Sequence, residues 1–360
     1  MNTIVSYFCD LIHHKKKKII HLPVYFFLRI LSYGFATLVF LRNFFYDKKL
    51  FKIKKADLPV ISVGNLVVGG GGKTPFLLFL MKHLKHEKIA VVSRGYKSKA
   101  EKLKSPLIIT DEKTSYEEIG DEMQMMRKHF PNAIYCVGSK RILAAEKAKE
   151  KKAKLILLDD GMQHRKLFRD LEIVVVNGKE FLKDQSLFPH GLLREKVKSL
   201  KRANFIILNL LDKKNILEIK RKILAFSKAP IIVVNPTLDA IKNLNDEDVC
   251  QKIDKAALFC SIANPERFYS LVAQNNVNVV ATKDFMDHQK PDLEKIISFA
   301  KEAKLKNAQC LLCTEKDAVK LFNNTKFALP IYYLKMSLQV IEGQFQLSKL
   351  VEKIKEIIYS

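Results

Sequence analysis

The chain is short of acid. Its 360 residues hold 38 Asp and Glu against 63 Lys and Arg, a formal charge of +25. That deficit points to an anionic partner: nucleic acid, an acidic membrane surface or a phosphorylated substrate. Cysteine is also scarce and scattered. Cys310-Leu-Leu-Cys313 has no second CxxC or His pair nearby, so a four-ligand zinc site is not expected. The remaining thiols suit a reducing, cytosolic compartment. No small-residue cleavage site follows the apolar N-terminal stretch, which excludes a secretory signal. Repeats, low-complexity tracts and a Gly/Ser linker are all missing. The 48% hydrophobic and 28% charged content exclude a disordered chain.

Charge is not spread evenly. Residues 1–55 carry eleven Lys and Arg and two acids, a net +9, with Lys15 to Lys18 in one run. Phe26, Phe27, Tyr33, Phe35, Phe40, Phe44, Phe45 and Tyr46 interleave with them. Aromatic and basic residues together suit the headgroup layer of a membrane. The charge-free part, Ile30 to Leu41, makes about 18 Å of helix, too short for a ~30 Å hydrocarbon core. An interfacial helix is therefore expected rather than a span.

From Leu58, short β-rich runs alternate with helical patterns. Strands are expected at Pro59–Val63, Ile89–Val92, Leu107–Thr110, Ala133–Val137, Leu155–Leu158, Ile173–Val176 and Phe205–Leu208, and helices at 74–86, 116–129 and 139–151. A second series follows about residue 215, with short strands at Pro230–Val234, Ala257–Ser261, Val277–Ala281, Gln309–Cys313 and Ile331–Tyr333. Apolar strands alternating with helices imply an α/β fold with a mostly parallel sheet covered on both faces.

The sharpest chemical signal is Val63-Gly64-Asn65-Leu66-Val67-Val68-Gly69-Gly70-Gly71-Gly72-Lys73-Thr74. A strand runs into four glycines, then Lys-Thr, then an apolar helix. Such a loop turns backbone N–H groups toward phosphates, and the helix dipole adds to them. Lys73 then reaches the β/γ-phosphates of ATP and Thr74 ligates Mg²⁺. The usual motif has a glycine where this chain has Val67. Leu155 to Leu158 is an apolar strand ending in Asp159-Asp160, a place for the acid that holds Mg²⁺. Further candidates are Asp121 in Gly120-Asp121-Glu122, Asp287-His288, Arg94 in Ser93-Arg94-Gly95-Tyr96, and Arg194 in Gly191-Leu192-Leu193-Arg194-Glu195. Guanine-specific switches carry N-K-x-D. Asn209-Leu210-Leu211-Asp212 lacks the Lys, and no nucleic-acid motif is visible.

Eight segments in order, ISVGNLVVGGGGKTP, VVSRGY, GDEMQMM, LILLDDGMQHR, FPHGLLRE, ANPERF, FMDHQ and TEKDAVKL, resemble the tetraacyldisaccharide 4′-kinase (lipid A 4′-kinase) family of Gram-negative bacteria. The resemblance implies transfer of the ATP γ-phosphate to the 4′-hydroxyl of a tetraacyldisaccharide 1-phosphate, giving lipid IVA. It implies two α/β/α domains with a cleft between them, the larger one P-loop NTPase-like. The expected division is a membrane-anchoring segment at 1–55, a P-loop kinase domain at 56–215, a smaller α/β domain at 216–342 and a C-terminal helix at 343–360. Attachment to the cytoplasmic face of the inner membrane is implied, peripheral or monotopic, with no nucleic-acid or obligate protein partner. By motif position, Gly69 to Thr74 bind ATP, and Thr74, Asp159 and Asp160 hold Mg²⁺. Asp121 and His288 form a dyad that activates the sugar hydroxyl. Arg94, Glu122, Arg194 and Glu195 face substrate. Met162 stands where the family often has Phe, and Gln289 where it has His or an aromatic.

Overall fold

A computed structural model describes residues 22–109, 114–182, 185–210, 215–286, 292–321 and 326–360. Its strands are β1 Val60–Gly64, β2 Ile89–Ser93, β3 Leu107–Ile109, β4 Ile134–Val137, β5 Leu155–Asp159, β6 Leu171–Asn177, β7 Phe205–Asn209, β8 Ile231–Asn243, β9 Lys255–Cys260, β10 Asn278–Asp284, β11 Cys310–Thr314 and β12 Ile331–Glu342. The helices are α1 Leu22–Asp47, α2 Lys73–His83, α3 Tyr116–Ile119, α4 Asp121–His129, α5 Arg141–Glu150, α6 Gly178–Phe181, α7 Ile216–Leu224, α8 Pro265–Gln274, α9 Leu293–Leu305, α10 Glu315–Ala318 and α11 Gln344–Tyr359.

One twelve-stranded sheet runs β10-β9-β11-β12-β8-β7-β6-β1-β5-β2-β4-β3. Every pairing is parallel except β3 with β4 and β8 with β12. The parallel strands are buried on both faces, which is why they read as unbroken apolar runs. Their two-residue period sorts them. Ile61, Val63, Leu155, Leu157, Ile173 and Val175 face α2, α4 and α11 through Phe76, Leu80, Met126, Leu350 and Ile354. Val60, Ile156 and Leu158 face the small Ala144, Ala145 and Ala148 of α5, and Val174, Ile206 and Leu208 face Ile219 and Ile223 of α7. Around β9 and β11 the same logic packs α9 on one face and α8 on the other.

Strands β8 and β12 are much longer than their apolar cores predict. Their antiparallel ladder runs from Tyr332–Asn243 to Glu342–Val233 and carries the sheet through the region expected to separate two units. The helix expected over 116–129 breaks at Gly120. Its φ of +93° and ψ of 150° suit only glycine, and the turn lets Asp121 open a new helix.

Helix α1 is longer than the charge-free stretch Ile30–Leu41 alone implies. It spans 26 residues, continuing through Arg29 and Arg42, and is long and apolar enough to cross a membrane by length and composition. Yet it is also fastened to the body. Leu28, Ser32 and Tyr46 are buried, Ser32 donates to the Leu187 carbonyl at 2.7 Å, and Arg165 pairs with Asp47 at 2.7 Å. The central clamp is Glu195, wholly buried. Its carboxylate accepts from Arg42 (3.1 Å), Asn43 (2.8 Å), Ser199 (3.0 Å) and Arg202 (2.8 Å). As placed, Glu195 is occupied in holding α1 rather than facing a substrate. Phe26, Phe27, Ile30, Tyr33, Leu38 and Phe40 point outward, exposed.

Removing one partner from a buried ionic cluster strands the others. Glu195→Ala should cost about 3 kcal/mol in denaturant unfolding, with earlier proteolytic cleavage in α1 than in the parent; an unchanged unfolding midpoint would show the clamp to be idle.

Candidate active site

Strand β1 delivers the chain to Asn65, and α2 begins at Lys73. Between them the loop has two parts. Residues 66–68 run extended beside 192–194: Val67 bridges Leu193, Val68 donates to the Leu192 carbonyl at 2.8 Å, and the Arg194 amide donates to Leu66 at 2.7 Å. Residues 69–72 form the glycine turn. Gly72 caps α2 at φ +83°, and a Cβ there would strike the Asn209 amide. Val67 therefore stands where the expected glycine is missing because that position is strand-like and paired, outside the turn that cradles phosphate.

The strand pairing also aims Arg194. Its guanidinium donates to Asp160 Oδ2 at 2.7 Å and to Gln163 Oε1 at 3.3 Å, while Lys73 Nζ lies 3.4 Å from Asp160 Oδ1. Burial alone would raise the Asp160 pKa, but Lys73 and Arg194 outweigh it and hold it at about 2. Asp159 is the opposite case. Its side chain is buried, accepts from Ser93 Oγ at 3.0 Å through Oδ2, and leaves Oδ1 without a hydrogen-bond partner. Burial first, then the negative charges of Glu122 and Asp160, push its pKa up to about 7.

That orphaned oxygen is the test for a divalent cation. Among the described residues no three His, Cys, Asp or Glu side chains gather as a metal cluster. Magnesium does not need one, since it keeps waters and phosphate oxygens and takes one or two carboxylates. Asp159 Oδ1 and the buried Thr74 at the start of α2 supply hard oxygen donors, and a cation there relieves the crowding of like charge. Asp160 is already engaged by two protein cations. The residues present fit Mg²⁺.

Asp121 opens α4, buried, with the Glu122 amide donating to its Oδ1 at 2.9 Å. Its Oδ2 lies 3.1 Å from Lys320 Nζ and 3.8 Å from Lys316 Nζ. His288 lies outside the described residues. Arg94 is half exposed and pairs with Glu101 at 2.6 Å.

Sequence reasoning gave no role to several residues found here. Asn65 is buried beside the glycine turn with both amide atoms unpartnered. Arg267 of the ANPERF segment donates to Asn209, the residue against Gly72, and burial lowers its pKa to about 10, opposed by Glu180. One signal was available: Pro265 marks the first turn of α8, and a cation in that turn opposes the helix dipole. Arg141 is buried at the start of α5, and burial lowers its pKa as well. For Lys316 and Lys320, nothing in TEKDAVKL says which acid they meet.

Because the folded state raises the Asp159 pKa from the ordinary 3.8 to about 7, it holds a proton that the unfolded chain has released. Metal-free stability should therefore fall as pH rises from about 4 to about 7. Asp159→Asn should flatten that fall, raise the metal-free Tm at pH 8 by about 4 °C, and abolish the Mg²⁺-induced Tm increase. Thermal melts at pH 5, 6.5 and 8, with and without Mg²⁺, check this; a variant less stable than its parent at pH 8 would contradict it.

Comparison with known proteins shows the family. The family model described as tetraacyldisaccharide-1-P 4′-kinase matches residues 24–355. A tetraacyldisaccharide 4′-kinase of Halothermothrix orenii is 31% identical, covering 97% of this chain and 97% of its own length. That of Chlamydia pneumoniae is 34% identical over 90% of this chain and 89% of its own. The crystal structure of the Aquifex aeolicus LpxK, an "apo" form in complex with ATP, superposes with a TM-score of 0.71 at 29% identity, covering 93% of this chain and 98% of that one. With the match running from α1 to α11, the chain belongs to the tetraacyldisaccharide-1-phosphate 4′-kinase family, the ATP-dependent kinases of lipid A biosynthesis.

Proposed function

We propose that this chain phosphorylates the 4′-hydroxyl of a tetraacyldisaccharide 1-phosphate from Mg-ATP, giving lipid IVA, while resting on the cytoplasmic face of the inner membrane. The observation that carries the reading is the union of a phosphate loop with two acids of opposite character, Asp160 held ionised and Asp159 held ready for a cation, beside the helix that Asp121 opens.

The transition state of phosphoryl transfer is loose, so positioning and charge neutralisation do most of the work. Lys73 and the amides of Gly69 to Thr74 bind the phosphates. Lys73 then exchanges part of its contact with Asp160 for the nucleotide, and Arg194 keeps Asp160 in place. Asp159 and Thr74 would hold Mg²⁺, which would supply positive charge against what develops on the phosphate oxygens. Asp121 accepts the hydroxyl proton late in transfer, with His288 as its dyad partner by motif position. Glu122, Arg94 and Arg194 line the approach. The segments 56–215 and 216–342 act as two units whose approach excludes water.

The outward face of α1 supplies the membrane contact. Cations lie beside its exposed rings, as where Lys198 of the 197–202 segment lies 5.8 Å from the Phe40 ring, an arrangement that suits anionic headgroups.

Purified protein with Mg-ATP and the disaccharide 1-phosphate in detergent should give a bisphosphorylated lipid. Folded protein that gives none would end the assignment. Asp121→Asn should lower kcat by about a hundredfold or more with the KM for ATP within about threefold. Phe26→Ser with Phe27→Ser and Leu38→Ser should weaken sedimentation with acidic vesicles by about tenfold while turnover in detergent stays near the parent's; equal sedimentation would remove α1 as the anchor.

A further inference from the structure

One buried side chain at this site comes from the other half of the sheet. Lys320 follows α10, next to β11, whereas Asp121 opens α4 beside α2. The Lys320 side chain is 1% exposed and Asp121 is 5% exposed. Lys320 Nζ lies 3.1 Å from Asp121 Oδ2, 2.9 Å from Ser261 Oγ and 3.5 Å from Asp317 Oδ1. Asp317 is itself fixed. Its Oδ2 accepts from the Ser261 amide at 3.0 Å and Thr314 Oγ1 at 2.6 Å, and its Oδ1 accepts from Ser261 Oγ. The cluster thus has a direction: Thr314 and Ser261 hold Asp317, Ser261 and Asp317 hold Lys320, and Lys320 presents its ammonium to Asp121.

We propose that Lys320 is a positioning residue for the transfer, which keeps Asp121 ionised and aimed so that it can take the hydroxyl proton. The inference rests on Asp121 being the base. An aspartate this buried drifts toward its neutral form, and a neutral acid cannot accept a proton. An ammonium at 3.1 Å reverses that drift. During transfer the 4′-oxygen bonds to the γ-phosphorus, the bond to the β-bridging oxygen breaks with its electron pair leaving on ADP, and the hydroxyl proton passes to Asp121. Because it is carried by the β9–β11 part of the sheet, the base is ionised only while that part is seated against α4. Two further bridges seat it: His129 with Glu315 at 2.6 Å, and Lys128 with Asp246 at 3.2 Å.

Other charges face Asp121. Lys316 and Asp317 come from α10, and Glu122 follows it on α4. Tyr116 and Glu117 lie on α3. Burial first, then Glu117 and Asp121, push the Tyr116 pKa to about 12, so it stays neutral across the working range. His288 lies outside the described residues.

The test is the pH profile of kcat for full-length protein in detergent with Mg-ATP and the disaccharide 1-phosphate. Lys320→Met should move the acid limb upward by about one unit or more, lower kcat at pH 7 by about tenfold, and recover much of that loss by pH 9. The KM for ATP should stay within about threefold, and Lys320→Arg should keep the parental limb. A Lys320→Met limb matching the parent overturns the proposal. If that variant does not fold, Lys320→Met with Asp317→Asn removes one charge of each sign, and the same upward shift is required of it. Asp121→Asn in parallel separates the two failures. Undiminished turnover there removes the base itself, whereas its loss beside an unmoved Lys320→Met limb removes only the role of Lys320.

Discussion

One carboxylate organises the nucleotide end of the molecule. Asp160 stands just past β5 in a left-handed turn, φ +51°, which short polar side chains tolerate better than most. From there it meets Lys73 at the start of α2 and Arg194 from the 187–195 loop. Those two cations come from segments that are already paired to each other through residues 66–68. Phosphate loop, acid strand and basic loop are thus closed into one ring of contacts. Without Asp160, Lys73 and Arg194 would face each other as like charges across the loop. Asp159, one residue earlier, inherits the opposite environment, because Asp160 has taken the nearby cations. Two adjacent aspartates end with pKa values about five units apart for that reason.

The scarcity of acid acquires a structural meaning here. Asp121, Asp159, Glu172, Glu195, Glu315 and Asp317 are all buried. Several neutralise buried or half-buried cations: Arg169 on Glu172 at 2.6 Å, Arg202 on Glu195 at 2.8 Å, Lys320 on Asp121 and Asp317. A chain with few acids has placed many of them inside, at clamps and in the site. The surface is left more positive than the composition alone implies. That excess suits anionic partners, as the proposed lipid surface and phosphorylated substrate both are.

Much of the site was legible because its residues act locally. The glycines, Lys73, Thr74 and the Asp159-Asp160 strand end are read from neighbours in the chain, and the strand-to-helix context needs only apolar periodicity. What was not legible depended on distant partners. Strands β8 and β12 read from sequence as about five and three residues, because their apolar runs end at Val234 and Leu334. Their extensions persist through Pro236, Lys335 and Gln339 only because each pairs with the other. The helix over 116–129 looked continuous because Gly120 breaks it through one backbone conformation, and a glycine does not announce which it adopts. Lys320 was one lysine among many, and its partner is about 200 residues away in sequence. Glu195 adjoined an Arg in a recognisable motif, so its contact with α1 was hidden behind a more obvious use. His288 lies outside the described residues.

Helix α1 poses the remaining choice, between a span and a surface helix, and its fastenings decide which is physically consistent. At 26 residues it measures about 39 Å, longer than a ~30 Å hydrocarbon core. A spanning helix must leave the body over most of that length. This one is tied to it from Leu28 to Asp47, by Ser32, by the Arg42–Asn43 pair on Glu195 and by Arg165. Insertion across the bilayer would break those contacts and leave Glu195 buried opposite Arg202 with half its donors gone. A helix lying flat, as the proposed function has it, would keep every fastening and leave the exposed Phe26, Phe27, Leu38 and Phe40 free for lipid. The FPHGLLRE loop is tied to α1 through Glu195 and to Asp160 through Arg194, so it links the helix to the acid strand. On the proposed function, that link would let a lipid keep its acyl chains in the bilayer while its sugar hydroxyl meets the site.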